Sequence, residues 1–257
     1  MRRLLQLIGL LLALAAPCLA GVSFIAVARS QGRASPDTAV HALVSGDKAR
    51  VEFVLPDAQP LPDGEYMLTL DQGKTLYMVS PRTKTYSVYA VQDMLTAMGG
   101  IVQGMRGRMK MDFESPKIEK LLEEDGGLVA GLPTRHYRYR TSYKATTHIL
   151  GSLTVTNTTE EDIWATTQLT EPGLAVWLTK APPSTGDAQF DEIIRAEMRK
   201  IEGFPLKRVT VTTTVNANGE TETSRSETEV TEVKNVDVPD SLFKIPAGYK
   251  EVPPEKQ

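Results

Sequence analysis

The sequence predicts a mainly β protein of the α+β class, in which a curved antiparallel sheet forms an unclosed β-barrel wrapped over two helices. Three observations predict it. Apolar and polar residues alternate in run after run, turn residues fall between those runs, and only two stretches carry the helical period instead. A sheet of that length does not stay flat and open, so it must curl around whatever covers its apolar side.

The strands come in order. Val51, Phe53 and Leu55 share one side of a strand with Arg50 and Glu52 on the other, because successive side chains point to opposite faces. Ser45-Gly46-Asp47 just before it is a turn, so Val40 to Val44 pairs back as a hairpin. Tyr66 to Leu70, Thr75 to Val79 and Thr85 to Tyr89 continue a meander, joined at Asp71-Gln72-Gly73 and Ser80-Pro81-Arg82. Lys117 to Glu123, Arg135 to Tyr143, His148 to Thr156 and Asp162 to Thr167 extend it, with turns expected at Asp125-Gly126-Gly127, Gly131-Leu132-Pro133 and Asn157-Thr158-Thr159. A last hairpin joins Arg208 to Val215 with Glu220 to Val233 across Asn218-Gly219.

Two stretches break the period of two. From Val91 to Met105, Met94, Leu95, Met98, Ile101, Val102 and Met105 fall near one side of a helix, which Gly99, Gly100 and Gly104 weaken by about 1 kcal/mol each against alanine. Asp187 to Ile201 places Phe190, Ile193, Ile194, Met198 and Ile201 at helical spacing, with Gly203 just past its end.

The first twenty residues read as an export signal: Arg2 and Arg3, an apolar run from Leu4 to Ala16, and a small-residue exit at Cys18-Leu19-Ala20. A cut near Ala20 leaves residues 21–257 as one domain and places the protein in the periplasm. It also removes Cys18, the only cysteine, and with it any disulfide or thiolate chemistry. Lipidation of Cys18 is the alternative, although Ala15-Ala16-Pro17-Cys18 departs from the small-residue pattern before a lipidated cysteine. The apolar run is shorter than the roughly 20 residues of a membrane span, and none follows it.

Chemistry is sparse. Without Arg2 and Arg3 the formal charge moves from -3 to -5, which argues against nucleic acid as a partner. His41, His136 and His148 sit on separate strands with no His-x-His or His-Glu-x-x-His spacing, so neither a metal site nor a cofactor is expected. No Gly-x-Ser-x-Gly elbow occurs, and Glu123-Glu124-Asp125 and Glu160-Glu161-Asp162 border turns, where solvated charge is the ordinary explanation. No catalytic residue is assigned.

The aromatic and methionine residues are the candidate site. Tyr137, Tyr139 and Tyr143 share a face opposite His136, Arg138 and Arg140, and a tyrosine suits either a cavity wall near a polar head group or a satisfied core. Met94, Met98 and Met105 form either an adaptable lid or a core filler, and Trp164 completes the hypothetical cavity.

The closing segment from Val238-Pro239-Asp240 through Ile245-Pro246-Ala247-Gly248-Tyr249 resembles the final strand and tail of exported bacterial proteins of the LolA/LolB-like group, in an uncharacterised branch. Gly73 to Val79 with Lys84-Thr85-Tyr86, Asp162 to Thr167, the Asp187 to Ile201 helix and Gly203-Phe204-Pro205-Leu206-Lys207 are similar in order to that group. The resemblance implies a half-barrel with an apolar cavity for acyl chains, no catalytic motif, and a lipid, lipoprotein or other hydrophobic ligand. The Met- and Gly-rich stretch at Met94 to Met111 and the Thr/Glu-rich arm at Thr221 to Glu232 depart from it. An envelope interaction or sensor module with a self-filled core, and an unrecognised hydrolase, remain the alternatives.

Overall fold

The computed structural model describes residues 19–31, 37–55, 64–109, 111–114, 116–148, 152–177 and 184–254. The bulk of the expected export signal, Cys18 included, lies outside them. In chain order the elements are β1 (Leu19–Gln31), β2 (Thr38–Ser45), β3 (Lys48–Val54), β4 (Tyr66–Thr69), β5 (Thr75–Ser80), β6 (Thr85–Ala90), α1 (Val91–Met109), β7 (Met111–Phe113), β8 (Lys117–Val129), β9 (Leu132–Thr147) and β10 (Leu153–Thr166). A 3-10 turn (Pro172–Val176), α2 (Ala188–Met198), β11 (Phe204–Val215), β12 (Thr221–Val238), a second 3-10 turn (Asp240–Phe243) and β13 (Lys250–Glu251) follow.

All the strands belong to one sheet in the order β13-β6-β5-β4-β3-β2-β1-β12-β11-β10-β9-β7, with β8 pairing β9 beside β7. Every ladder is antiparallel except β13 on β6. No ladder among the described residues joins the two edges, so the sheet is unclosed. It is nevertheless strongly curved. β6 and β7 lie ten strand steps apart, about 48 Å in a flat sheet at ~4.8 Å per step. Helix α1 spans that interval with 19 residues, about 28 Å at ~1.5 Å per residue. Only a curled sheet lets a helix of that length bridge its margins.

The main core lies on the face that carries Val22 and Phe24, called the inner face below. Ala42, Val44, Ala49, Phe204, Leu206 and Val230 join them, and Leu169, Leu174 and Trp177 from the segment after β10 pack on top. That segment is anchored at the β2–β3 turn, where the Gly173 amide donates to Gly46 O at 2.7 Å. A Cβ at Gly173 would stand 2.4 Å from Lys48 O, so glycine is what permits the approach. On the outer face, the tail after β12 buries Phe243 and brings Ile245 and Tyr249 onto Tyr66, Leu68 and Val79.

Three local readings change. Asn157-Thr158-Thr159 is not a turn: β10 runs through it as one strand, paired with both Tyr143-Ser142-Thr141 and Thr214-Thr213-Thr212. Asp125-Gly126-Gly127 is an irregularity inside β8, where the Asp125 carboxylate accepts the Gly127 amide and Gly127 takes φ 67°. The chain reverses at Ala130-Gly131, both at positive φ, one residue ahead of the turn expected at Gly131-Leu132-Pro133. Finally, residues 21–28 form the centre of β1, a strand that the alternation does not reveal. Leu19 and Ala20, the end of the expected signal, pair with Val238 and Asp237, so a cut after Ala20 removes only the first two ladder positions.

Candidate functional site

A cavity of about 290 Å³ opens on the inner face between β1, β2, β11, β12 and Trp177. Its shape follows from the register. Phe24 and Phe204 form its floor, 1% and 2% exposed, with Trp177 closing over them. The three rings make an edge-to-face cluster, with centroids 5.1 Å apart for Phe24 and Trp177, 5.5 Å for Phe24 and Phe204, and 6.3 Å for Trp177 and Phe204. One step along the strands, Ala26 pairs with Val40 on one side and Val230 on the other. One step further, Ala28 pairs with Thr38 and Thr228, and Thr228 with Arg208. The cavity therefore grades from aromatic, through aliphatic, to an exposed polar row, because residues two apart on a strand line the same face.

The small side chains of Ala26 and Ala28 are what leave the space. In the neighbouring core the same face carries Val22 and Val44, and Leu174 of the covering segment fills the space above them. Arg208 brings the one formal charge among the lining residues. Its Nη1 stands 3.7 Å from Glu161 Oε1. Glu161 is held more closely by the buried Lys200 ammonium at 2.5 Å, which also reaches Thr141 Oγ1 at 3.1 Å and Glu197 Oε1 at 2.7 Å. The Tyr139 hydroxyl donates to Lys200 O, and burial pushes its phenol above the usual range, so that proton stays in place.

The structure places the residues singled out in the sequence elsewhere. Tyr137 and Tyr139 do share the inner face, opposite His136 and Arg138, but they are buried against Ala165, Ile118 and Ile201 beside α2. Tyr143, 37% exposed, lies further along β9. Met94 and Met98 are exposed on α1, and Met105 belongs to the same helix. Trp164 faces outward, stacked on His136 with centroids 4.3 Å apart and planes at 2°. His136 Nε2 in turn meets Asp162 Oδ1 at 2.7 Å, in a charged outer surface that continues to Arg138 at 2.8 Å. Of the six other than Met105, none lines the cavity at Phe24 and Trp177. Of the lining residues the sequence marks Phe204 and Arg208 as parts of the β11 region, but it takes the ladder from β1 through β12 to set them beside Ala26 and Ala28, and the segment after β10 to bring Trp177 over them.

Among the described residues no group of three or more His, Cys, Asp or Glu is placed to hold a metal ion, and no helix is long and apolar enough to cross a membrane.

Residues 31–249 match the family model described as a domain of unknown function, DUF4412, and the chain belongs to that family. Among curated proteins, none matches the chain. Among solved structures, an uncharacterised conserved protein from Thermus thermophilus aligns at 10% identity over 91% of this chain and 90% of that one, with a TM-score of 0.34. A LolA superfamily protein from Nitrosomonas europaea aligns at 10% identity over 89% and 91%, with a TM-score of 0.29. PNGF-II aligns at 14% identity over 91% of this chain but 32% of its own, with a TM-score of 0.34. Superpositions of that quality assign no activity.

Proposed function

We propose that this DUF4412 protein is an exported, non-enzymatic protein that takes up a lipid or other hydrophobic ligand in the cavity beneath β1, β2, β11 and β12. The observation that carries the reading is an apolar void of about 290 Å³ with a ready-made aromatic floor. At ~30 Å³ per water-sized unit the void holds roughly ten such groups. Ten methylenes at about 0.8 kcal/mol each set an upper limit of about 8 kcal/mol, and the open side of the groove lowers it, which still leaves room for binding without any reactive group. Export to the periplasm is supported by the arginine-led apolar run at Arg2 to Ala16 and its small-residue exit.

The test is to purify the protein from its native host, extract it with organic solvent and examine the extract by mass spectrometry. A near-stoichiometric lipid, together with displacement of a fluorescent fatty-acid probe, is the expected result. A clean extract and no displacement would contradict it.

One observation favours a second reading, an envelope interaction module. Helix α1 turns Gln92, Gly99 and Gln103 toward the 184–186 segment, where Gln92 donates to Ser184 O and Gln103 to Gly186 O. It leaves Met94, Met98 and Ile101 at 45%, 47% and 62% exposure. A clean extract would shift the weight to that exposed stripe.

A further inference from the structure

We propose that the cavity selects a single-chain amphiphile with a carboxylate head, and that Arg208 at its mouth is the specificity-determining residue; this rests on the cavity being a ligand site at all. The polarity gradient is the first argument. A chain laid along β1 passes from the buried Phe24 and Phe204 over Ala26 and Val230, and ends at the cross-strand row of Thr38, Ala28, Thr228 and Arg208. Thr38, Thr228 and Arg208 are all exposed, so a charged head placed there keeps its access to water.

Charge is the second. The neutral hydroxyls of Thr38 and Thr228 can receive any polar head, but the guanidinium favours an anion. The geometry leaves Arg208 free to do so. Its ion pair to Glu161 is long, at 3.7 Å, while Lys200 holds the same carboxylate at 2.5 Å. Lys200 shares its charge between Glu161 and Glu197, at 2.7 Å, so Arg208 serves as a second, exposed cation beside Glu161, and at 3.7 Å that contact leaves its fork of N–H donors able to take an incoming acceptor. A carboxylate matches the planar fork with two parallel hydrogen bonds.

Size is the third. About 290 Å³ matches one chain of roughly ten heavy groups laid along the open groove.

Isothermal titration of the full exported chain with decanoate, decanol and decyltrimethylammonium, each below its micellar concentration, tests the assignment. Decanoate should bind at least about tenfold more tightly than decanol, the gain of a charge-assisted hydrogen bond, and the cation more weakly than either. R208Q should bring decanoate down to the level of decanol, with a circular dichroism spectrum and urea midpoint like those of the parent protein showing that the variant is folded. R208K should keep part of the preference, because it retains the charge and loses the fork. Equal binding of all three probes, or an undiminished preference in R208Q, would overturn the carboxylate assignment and leave the cavity standing. Failure of all three to bind would overturn both.

Discussion

Along β1, β2 and β11 the inner face is lined by alanine, valine and phenylalanine under a cap of Leu169, Leu174 and Trp177, and that packing leaves a void. Across β9 and β10 the same face of the same sheet is sealed. There the residues after α2 bring Ile201 onto Tyr137 and Tyr139 and drive the Lys200 ammonium between Glu161, Glu197 and Thr141. The comparison teaches that curvature alone does not make a binding site. What decides is whether the covering segment supplies enough side-chain volume, and large aromatic residues on the sheet do not by themselves mark where the space is.

The largest expected effect comes from the sealed half. Lys200→Met should cost about 3–5 kcal/mol in urea unfolding, because it strands Glu161 in the interior without its cation. Adding Glu161→Leu should recover much of that loss, since an apolar pair replaces a buried ionic one at little cost. Recovery failing to appear would mean that the ion pair fixes the position of α2 rather than merely neutralising charge.

On the open half, Leu174→Ala should cost about 3 kcal/mol and loosen the cap over the aromatic floor. Unlike Lys200→Met, it should also weaken binding of a hydrophobic probe. If both substitutions lower probe affinity equally, the two halves are not distinct.

A third test concerns α1, whose glycines look alike in the sequence. A Cβ at Gly99 would stand 2.0 Å from Thr185 O, so Gly99→Ala should destabilise by about 2 kcal/mol. Gly100 has open space around it, so Gly100→Ala should instead stabilise the helix by up to about 1 kcal/mol. Equal thermal shifts for the two would place the 184–186 segment elsewhere.

A pH-dependent test lies on the outer face. The hydrogen bond from His41, assisted by Arg50, holds the Glu52 carboxyl at about 2 instead of its ordinary 4.5. A carboxyl depressed on folding stabilises the protein above its unfolded value and loses that contribution as the pH falls from 4.5 toward 2. Glu52→Gln should therefore lower the urea midpoint above pH 5 and converge with the parent protein toward pH 2, which flattens the acid limb in that window. An unchanged acid limb would show that Glu52 is equally engaged in the unfolded chain.

The fold was legible because alternation and turn residues report a half-buried antiparallel sheet directly. The hairpin strands around Gly46, Gly73 and Asn218 and both helices appear close to where the pattern predicts them. β1 was hidden by its own position. It buries Val22 and Phe24 on one face and Val27 on the other, so apart from Ser23 its sequence reads as an apolar run, and it directly follows the apolar stretch from Leu4 to Ala16. Missing β1 meant missing the cavity, whose floor and mouth are both defined by its register. Asn157-Thr158-Thr159 misled for a different reason. These turn-prone residues pair with a polar stretch of β9 and with the threonines of β11, where Thr159 Oγ1 lies 3.4 Å from Thr212 Oγ1 and Thr214 donates to Asn157 at 2.8 Å. Cross-strand partners outweighed local turn preference.

The two tryptophans report on the two sides of the sheet, Trp177 over the cavity and Trp164 stacked on His136 on the outer face. The most direct measurement is quenching of each by a fatty acid brominated at its terminal carbon, using Trp164→Phe to isolate Trp177 and Trp177→Phe to isolate Trp164. Strong, saturable quenching of Trp177 with little change in Trp164 is the predicted result. Equal quenching of both, or none of Trp177 at saturating probe, would contradict a ligand seated on the Phe24 and Phe204 floor.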